Sequence, residues 1–215
     1  MRAQMIEVRD LHVRVGEGET VRGVSFSLAK GGVYALFGPS AAGTTVLEAV
    51  AGLRRPATGT VRVGGADPYE HPGTPRSGAV WRDGGLFPGL TVAEVVDTWR
   101  RWTLDPLTRD EVLRLTGLAG LAGVAFERLT AGQRRLLDVA LALVGRSDVL
   151  LLDEPAAGLD AADARRVRSV LRFLAAHGVT VVLATTDPAE AARADRAVVL
   201  ADGRARSGGA RPLAA

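Results

Sequence analysis

Apolar and polar residues alternate along the first third of the chain, as they do in strands that bury one face. The segment Val33–Phe37 differs because it is apolar at every position, which is typical of a strand buried on both faces. A short helix is expected over Val46–Ala51, where Gly52 ends the apolar pattern. The strands predicted in this part are Gln4–Val8, Leu11–Val15, Val21–Leu28, Val33–Phe37, Thr60–Val63 and Ala79–Trp81.

The apolar period becomes helical from Leu90 onward. Thr91 and Glu94 have the spacing of a capping box, which predicts a helix that extends to about Trp102. Strand and helix alternate again beyond Asp148. The remaining predicted helices are Asp110–Leu115, Gly132–Val144, Ala161–Ala176 and Pro188–Ala194, and the remaining strands are Val149–Leu152, Val179–Ala184 and Ala197–Leu200.

These elements indicate a single α/β domain that contains a helical block. Residues 90–145 form the helical block, and residues 1–89 and 146–215 form the α/β part around it. The Gly- and Arg-rich tail after Asp202 is expected to be frayed. A chain of 215 residues with 47% hydrophobic residues is long enough to bury a sizeable core.

The composition excludes several classes of function. The absence of cysteine excludes disulfides, zinc-thiolate sites and cysteine nucleophiles. The 27 basic and 24 acidic residues are mixed along the chain, so we expect no nucleic-acid partner. Apolar stretches such as Val139–Val144 fall far short of the ~20 residues that span a bilayer, and Met1–Asp10 lacks the apolar core of a signal peptide. A membrane role is therefore expected only through a partner.

A glycine-rich loop follows the buried strand. Its eight residues match the spacing G-x-x-x-x-G-K-[ST], except that Thr44 stands at the lysine position. In such a loop successive N–H groups point inward at a phosphate, the helix N-terminus adds partial positive charge, and the hydroxyl of Thr45 is placed to bind Mg²⁺. Taken alone, the pattern also fits a plain tight turn. The loop residues are Gly38, Pro39, Ser40, Ala41, Ala42, Gly43, Thr44 and Thr45.

An apolar strand ending in two carboxylates, Asp148–Pro155, favours the phosphate-site interpretation. Asp153 is placed to reach the metal side of a phosphate site, and Glu154 to take a proton from an attacking water. Two acids that open a loop are the alternative interpretation. That alternative fits less well because Leu129–Arg135 precedes the strand and Ala157-Gly158-Leu159-Asp160 follows it.

In this order of motifs the sequence resembles the ATP-binding cassette (ABC) family over nearly its whole length. The matching segments are the phosphate loop 38–45, residues 85–92, the signature-like residues 129–133, the Walker B strand 148–155 and the D-loop 157–160. The resemblance implies an α/β, P-loop NTPase-type core with an antiparallel β edge and an inserted helical signature subdomain. It also implies ATP and Mg²⁺ as ligands.

The resemblance further implies that two cassettes enclose two nucleotides head to tail. Each site combines one subunit's phosphate loop with the signature of the other, which here comprises Leu129, Thr130, Ala131, Gly132 and Gln133, and Asp160 belongs to the D-loop. The implied partners are a transmembrane permease subunit and a second ABC subunit, at the inner face of the cell membrane. In the family, a helix of the permease docks near Leu86–Leu90, and the less favoured alternative is that Leu86 and Phe87 pack the two parts of the chain together.

Several departures from the family pattern fall on residues that contact nucleotide. Thr44 replaces the lysine, Arg82 replaces the Q-loop glutamine, and Thr186 replaces the switch histidine. We place Thr186 among the catalytic candidates together with Glu154. Val15 stands where an aromatic residue stacks on adenine, and Ala41 replaces a glycine. One lost charge-assisted phosphate contact weakens binding roughly tenfold to a hundredfold, and a lost transition-state hydrogen-bond donor slows the reaction by a further factor of ~10²–10³. Hydrolysis at the chain's own site is therefore expected to be nearly abolished.

Two basic residues, Lys30 and Arg82, are candidates to supply the positive charge of the missing lysine. Lys30, the only lysine, precedes the buried strand and lies at its opposite end, roughly 20 Å away by strand rise. Arg82 is the better candidate because the Q-loop borders the γ-phosphate in the family, although a solvated arginine beside Asp83 is an equally good interpretation.

Three functions remain open at this point. The first is an ATP-hydrolysing subunit of a membrane transporter whose own site is impaired. The second is a non-catalytic, degenerate cassette that acts as a structural or regulatory partner of an active ATPase subunit. The third is a regulatory task away from the membrane. The changes at the signature are milder, because Thr130 keeps a hydroxyl and Ala131 and Gly132 keep their N–H groups.

Overall fold

The structure, a computed structural model, describes residues 3–16, 18–38, 41–73 and 75–206. The strands are β1 (Gln4–Val15), β2 (Gly18–Ala29), β3 (Gly32–Phe37), β4 (Thr58–Val63), β5 (Ser77–Val80), β6 (Val149–Asp153), β7 (Thr180–Thr185), β8 (Arg196–Ala201) and β9 (Arg204–Arg206). The helices are α1 (Ala42–Val50), α2 (Val92–Arg101), α3 (Arg109–Leu115), α4 (Ala131–Leu143), α5 (Ala161–Ala176) and α6 (Pro188–Ala191).

The strands form two sheets. A three-stranded antiparallel sheet has the order β2-β1-β4, and a six-stranded sheet has the order β5-β6-β7-β3-β8-β9. In the larger sheet β5, β6, β7, β3 and β8 run parallel, and only β9 is antiparallel to its neighbour. Phe37 pairs with Thr185, and Asp153 pairs with Ala184, so β3, β6 and β7 end at the same edge.

The two faces of the larger sheet build two hydrophobic cores. Val33 and Ala35 of β3 pack into one core with helices α2 to α5. Tyr34 and Leu36 pack into the other with α1 and the antiparallel sheet. Because successive side chains of a strand point to opposite faces, a strand between two cores must be apolar throughout. The continuous apolar run of β3 follows from this position.

The helical block lies between β5 and β6 in the sequence and comprises α2, α3 and α4. Each of these helices begins at a threonine whose hydroxyl accepts a backbone N–H three residues later, while the side chain of that residue accepts the threonine N–H. These capping boxes are Thr91–Glu94, Thr108–Glu111 and Thr130–Gln133. The predicted box at Thr91 is confirmed, and the others show that every helix of the block begins in the same way.

Some predicted boundaries were wrong. The two predicted strands at the start form the single strand β1, which changes register around Asp10, a residue with φ 45°. Helix α1 begins at Ala42, inside the predicted loop, because Ala42 and Gly43 are small enough to pack closely on the sheet. Helix α6 ends at Ala191 rather than Ala194.

The tail after Asp202 was predicted to be frayed, and this is wrong for Arg204–Arg206, which form β9 and pair with β8. The rest of the tail lies outside the described residues. Lys30 is exposed in the turn between β2 and β3, at the amino end of β3. None of the helices in the described part of the chain is long and apolar enough to cross a membrane.

Candidate functional site

The chemically distinctive segments of the sequence meet at one edge of the larger sheet. The glycine-rich loop follows β3, the two carboxylates end β6, Thr186 follows β7 and Arg82 follows β5. These four strands are parallel neighbours in the order β5-β6-β7-β3, so their carboxyl ends open at the same edge. Ligands of open parallel sheets bind outside this edge. The four motifs, although far apart along the sequence, therefore lie at one site.

Both glycines of the loop are closely packed, and close packing requires glycine at position 38. A Cβ on Gly38 would lie 2.0 Å from the carbonyl oxygen of Leu200, and one on Gly43 would lie 3.0 Å from the Cβ of Ala184. The N-cap of the following helix α1 is Ala41, whose side chain has no acceptor, so the first N–H groups of α1 are not capped by their own N-cap residue. These N–H groups are the donors that a phosphate needs. Pro39 and Ser40, also predicted to line the loop, lie outside the described residues.

Thr44, at the lysine position, contacts the first carboxylate. Its hydroxyl donates a hydrogen bond to Asp153 Oδ1 at 3.0 Å. Burial raises the pKa of Asp153, whereas the bond from Thr44 and the charge of Arg82 act in the opposite direction. Thr45, predicted to bind a metal, is buried next to this pair, and its N–H donates to the carbonyl oxygen of Ala41. The hydrogen bond from Thr44 and the charge of Arg82 therefore offset only part of the cost of burying the Asp153 carboxylate.

This donor set fits a magnesium ion bound together with phosphate. Mg²⁺ prefers oxygen ligands and is usually held by one or two protein oxygens plus phosphates and water. The carboxylate of Asp153 and the hydroxyl of Thr45 are such oxygens, and a cation would offset the burial that raises the pKa of Asp153. Within the described residues there is no cluster of three or more His, Cys, Asp or Glu side chains that would hold a metal alone.

Glu154 is held in an unusual backbone conformation. Its φ is 50°, in a region that residues other than glycine seldom occupy, and its N–H donates to the carbonyl oxygen of Ala184 at 2.9 Å. Its Oε1 accepts the backbone N–H of Thr186 at 3.0 Å and lies 3.6 Å from Nη2 of Arg82. Only 9% of the Glu154 side chain is exposed, against 60% for Arg82. Such constrained residues concentrate at functional sites.

The predicted catalytic pair therefore does meet, but not through the threonine side chain. Thr186 is exposed and approaches Glu154 through its backbone N–H, which any residue would supply. Arg82 is 60% exposed, and Nη2 of its guanidinium lies 3.6 Å from Oε1 of Glu154.

Comparison with known proteins decides the family. The sequence model described as ABC transporter matches residues 21–157, well over half of the 215 residues. The chain belongs to the ABC transporter family. Proteins of this family bind ATP with Mg²⁺ in general.

Similar curated proteins are ATP-binding proteins of import systems. A sulfate/thiosulfate import ATP-binding protein of Mycolicibacterium paratuberculosis is 39% identical over 209 residues, which are 93% of this chain and 58% of that protein. A taurine import ATP-binding protein of Pelagibacter ubique is 36% identical over 185 residues, 81% of this chain and 69% of that protein. An Fe(3+) ions import ATP-binding protein of Rhizobium etli is 39% identical over 88% of this chain. The chain spans only 58% and 57% of the first and last of these relatives.

Solved structures share the fold. The cbiO1 protein of Clostridium perfringens, part of the ABC transporter complex cbiONQ, superposes with a TM-score of 0.84 at 24% identity and covers 97% of this chain and 89% of its own. A dimeric ATP-binding cassette bound to ADP and Pi superposes with a TM-score of 0.77 at 23% identity, covering 94% and 97%. The expected α/β, P-loop NTPase-type fold is confirmed.

The ABC signature segment, Leu129–Gln133, forms the start of α4. Thr130 is the N-cap, Leu129 and Gly132 are buried, and Ala131 is exposed. The hydroxyl of Thr130 and the N–H of Gly132 both donate to Asp163 Oδ2, at 2.9 and 3.0 Å. The signature thus contacts the start of α5 within the same chain.

The D-loop residue Asp160 caps α5. Its carboxylate accepts the N–H groups of Ala162 and Asp163, both at 2.8 Å. The start of α5 therefore carries two carboxylates. That of Asp160 caps α5 itself, and that of Asp163 is directed at α4. No sequence pattern predicts the contact of Asp163 with α4, since Asp163 looks like an ordinary acidic residue at a helix start.

Arg135 of the signature helix joins α4 to the Q-loop, and sequence reasoning missed this role. Its guanidinium donates to the carbonyl oxygens of Trp81 and Arg82, at 2.8 and 2.9 Å, and only 9% of the residue is exposed. The same backbone segment carries the side chain of Arg82 to Glu154. Signature helix, Q-loop and Glu154 are thus joined by direct contacts.

Glu190 is a second residue that the sequence did not single out. It lies on α6, is almost fully buried, and its Oε1 has no hydrogen-bond partner within the described part of the chain. Burial raises the pKa of Glu190, and a hydrogen bond from the Thr185 side chain opposes this. The only sequence signal is an acid among small apolar residues directly after the Thr186 turn.

A groove of about 490 Å³ lies between β5 and the helical block. Phe87 packs edge to face against Trp99 and Phe126, with ring centroids 5.7 and 5.5 Å apart, so it belongs to the packing between the two parts as well as to the groove. Asp138 lies at the floor, accepts the N–H of Gly85 at 3.2 Å, and has its pKa raised by burial. Leu86, beside the groove, is 79% exposed.

Proposed function

We propose that this chain is the ATP-binding subunit of an ABC import system, that it docks on a transmembrane permease at the inner face of the cell membrane, and that its own hydrolytic site is impaired. The family and the similarity to import proteins support the first part. The docking part rests on the groove beside β5, and the impairment rests on the contacts of Glu154. The proposal covers this chain only, since the relatives extend beyond it.

The observation that carries the impairment is the pairing of Glu154 with Arg82. A general base needs free lone pairs directed at the water that it activates. Oε1 of Glu154 already accepts the Thr186 N–H and lies 3.6 Å from the Arg82 guanidinium. The hydroxyl of Thr44 also contacts Asp153 instead of supplying a positive charge to a phosphate. One oxygen of the general base is thus already engaged, and the phosphate loop has no side-chain cation.

Arg82 supplies the main positive charge near the proposed γ-phosphate. It lies on the loop after β5 and is 60% exposed, so its guanidinium can offer its remaining N–H donors to a bound anion while Nη2 stays beside Glu154. A guanidinium binds phosphate oxygens through paired N–H donors, which a lysine cannot do. Weak binding of MgATP with Arg82 as the cation is the expected state of the isolated chain. Asp153 and Thr45 would hold the Mg²⁺, which would neutralise phosphate charge.

The groove between β5 and α2 is the proposed permease contact. It has an apolar side of Phe87 and Trp99 and a polar floor with Asp138, and it lies beside the Q-loop residue Trp81. A helix of the permease that binds there would touch the same loop that carries Arg82. Docking and nucleotide site would then share one backbone segment.

The dimer partner is proposed to be a second, competent ABC subunit. In a pair of identical chains, both sites would contain Thr44 and a Glu154 paired with Arg82. In a mixed pair, one site would combine the partner's phosphate loop with this chain's Thr130 and Gly132. That site is the one expected to hydrolyse ATP.

The test is the ATPase rate of the assembled transporter with Glu154→Gln in this chain. We expect little change, because hydrolysis takes place at the partner's phosphate loop. Glu70→Gln, which neutralises an exposed glutamate, is the matched control. A Glu154→Gln rate reduced about a hundredfold or more would show that this chain's own site performs the hydrolysis.

The non-catalytic alternative is favoured by one specific observation, the joint replacement at Thr44, Arg82 and Thr186. It differs from the main proposal in nucleotide binding. If calorimetric titration with ATP and Mg²⁺ detects no binding to the purified chain, the role is that of a structural or regulatory partner. Measurable weak binding supports the main proposal.

A further inference from the structure

A carboxylate of α5 occupies the first turn of α4. Oδ2 of Asp163 accepts the hydroxyl of Thr130 at 2.9 Å and the N–H of Gly132 at 3.0 Å. A hydroxyl and a backbone N–H thus converge on one anionic oxygen. The contact joins two helices that are far apart in sequence, 31 residues for Gly132 and Asp163.

The approach of the two helices depends on Gly132. A Cβ at this position would lie 2.3 Å from Cγ and 2.5 Å from Cβ of Asp163, so only glycine admits the carboxylate. Asp160 fixes the other side, since its own carboxylate accepts the N–H of Asp163 at 2.8 Å. The backbone that carries Asp163 is therefore anchored, and its side chain is directed at the signature.

We propose that Asp163 is an internal occupant of the phosphate seat of the signature, so that this surface accepts a phosphate-bearing partner only after the Asp163 side chain has left. The inference rests on the proposed function, in which Thr130 and Gly132 face the terminal phosphate of the partner's nucleotide. Carboxylate and phosphate oxygens are both anionic acceptors for the same hydroxyl and N–H donors. The two anions therefore compete for one pair of donors.

The competition is exclusive because of charge. A phosphate oxygen bound to Thr130 and Gly132 while Asp163 stays in place would bring two negative charges within a few ångströms of each other, where their repulsion is strong in a closed interface. The partner's nucleotide must offset both the lost bonds and this repulsion. Asp163 thus sets how strongly an anion must bind before the signature surface is used.

The test uses the purified full chain and inorganic phosphate, with the ionic strength held constant. The backbone amide of Gly132 is followed by ¹⁵N NMR as phosphate is added. Asp163→Ala frees the two donors and removes the charge, so we expect its Gly132 amide to respond at a phosphate concentration about tenfold or more below that of the natural chain. Asp110→Ala, which removes an exposed acid from the first turn of α3, is the matched control and should behave like the natural chain.

Asp163→Asn provides a second variant that keeps the shape of the side chain. It should also lower the phosphate concentration required, because the repulsive charge is gone. Equal phosphate dependence in the natural chain and Asp163→Ala, or a Gly132 amide that does not respond in Asp163→Ala, overturns the inference. The experiment needs neither a partner nor hydrolysis, so its failure is distinguishable from a failure of the proposed function in the assembled transporter.

Discussion

Thr44 shows how one side chain changes the chemistry of the phosphate loop. The loop keeps both close-packed glycines and an uncapped helix start, so its backbone donors remain. What it lacks is a cation, because threonine stands at the lysine position. The Thr44 hydroxyl is directed at Asp153. The backbone cradle and the side-chain charge are therefore separable properties of this site.

Thr44→Lys should restore that charge. The ammonium group would lie near the buried carboxylate of Asp153 and reach toward a bound phosphate, and we expect MgATP to bind roughly tenfold to a hundredfold more tightly. Calorimetric titration of the purified variant with MgATP measures this. Thr44→Gln, long but uncharged, is the control, and a lysine variant that binds no better than the glutamine variant would mean that the loop does not present its donors to phosphate.

At the scale of elements, the helical block is attached to the sheet through α4. Its apolar residues pack in the same core as β3, β6 and β7, and Arg135 adds two polar contacts to the Q-loop. A buried guanidinium that donates to two carbonyl oxygens leaves both without a protein donor when it is removed. The position of α4 relative to the Q-loop therefore depends on this residue.

Arg135→Gln should lower the free energy of unfolding by about 1–3 kcal/mol, because the shorter amide cannot reach both carbonyl oxygens. Urea unfolding followed by fluorescence gives the value. Arg114→Gln, at an exposed position of α3 in the same block, serves as the matched control and should change stability by less than about 0.5 kcal/mol. Equal stabilities of the two variants would show that the Arg135 contacts contribute no net energy.

Most elements could be predicted from the sequence because their burial is periodic or continuous. The run Val33–Phe37 and the capping box at Thr91 both predicted what the structure contains. The early start of α1 could not be predicted, because Ala41 supplies no capping side chain. The strand β9 was missed because its pairing with β8, and not its own short sequence, determines it.

The site could be predicted in place but not in its contacts. Four motifs that follow parallel strands had to open at one edge, and they do. The contacts of Arg82 with Glu154, Arg135 with the Q-loop and Asp163 with the signature depend on how loops and helices approach each other. The spacing of residues along the sequence does not predict which loops and helices approach each other.

For the whole molecule, the groove beside β5 is the proposed permease contact, and this proposal can be tested by substitution. Ser77→Arg places a long charged side chain on the exposed edge of β5 that lines the groove. We expect loss of co-purification with the permease and an unchanged melting temperature, because the position is exposed. Ser169→Arg, an equal change on the exposed side of α5, should leave co-purification intact. Permease binding that survives Ser77→Arg would place the contact elsewhere.

Lys30 supplies the only side-chain amine of the 215 residues, so it can be labelled selectively. It is the only lysine of the 215 residues, it is exposed, and it lies at the amino end of β3, whereas the site opens at the carboxyl end of that strand. Arginine does not react with amine-directed reagents, so a dye ester can attach only here and at the chain's α-amino group. A fluorophore on Lys30 would therefore report on assembly without touching a residue that contacts nucleotide.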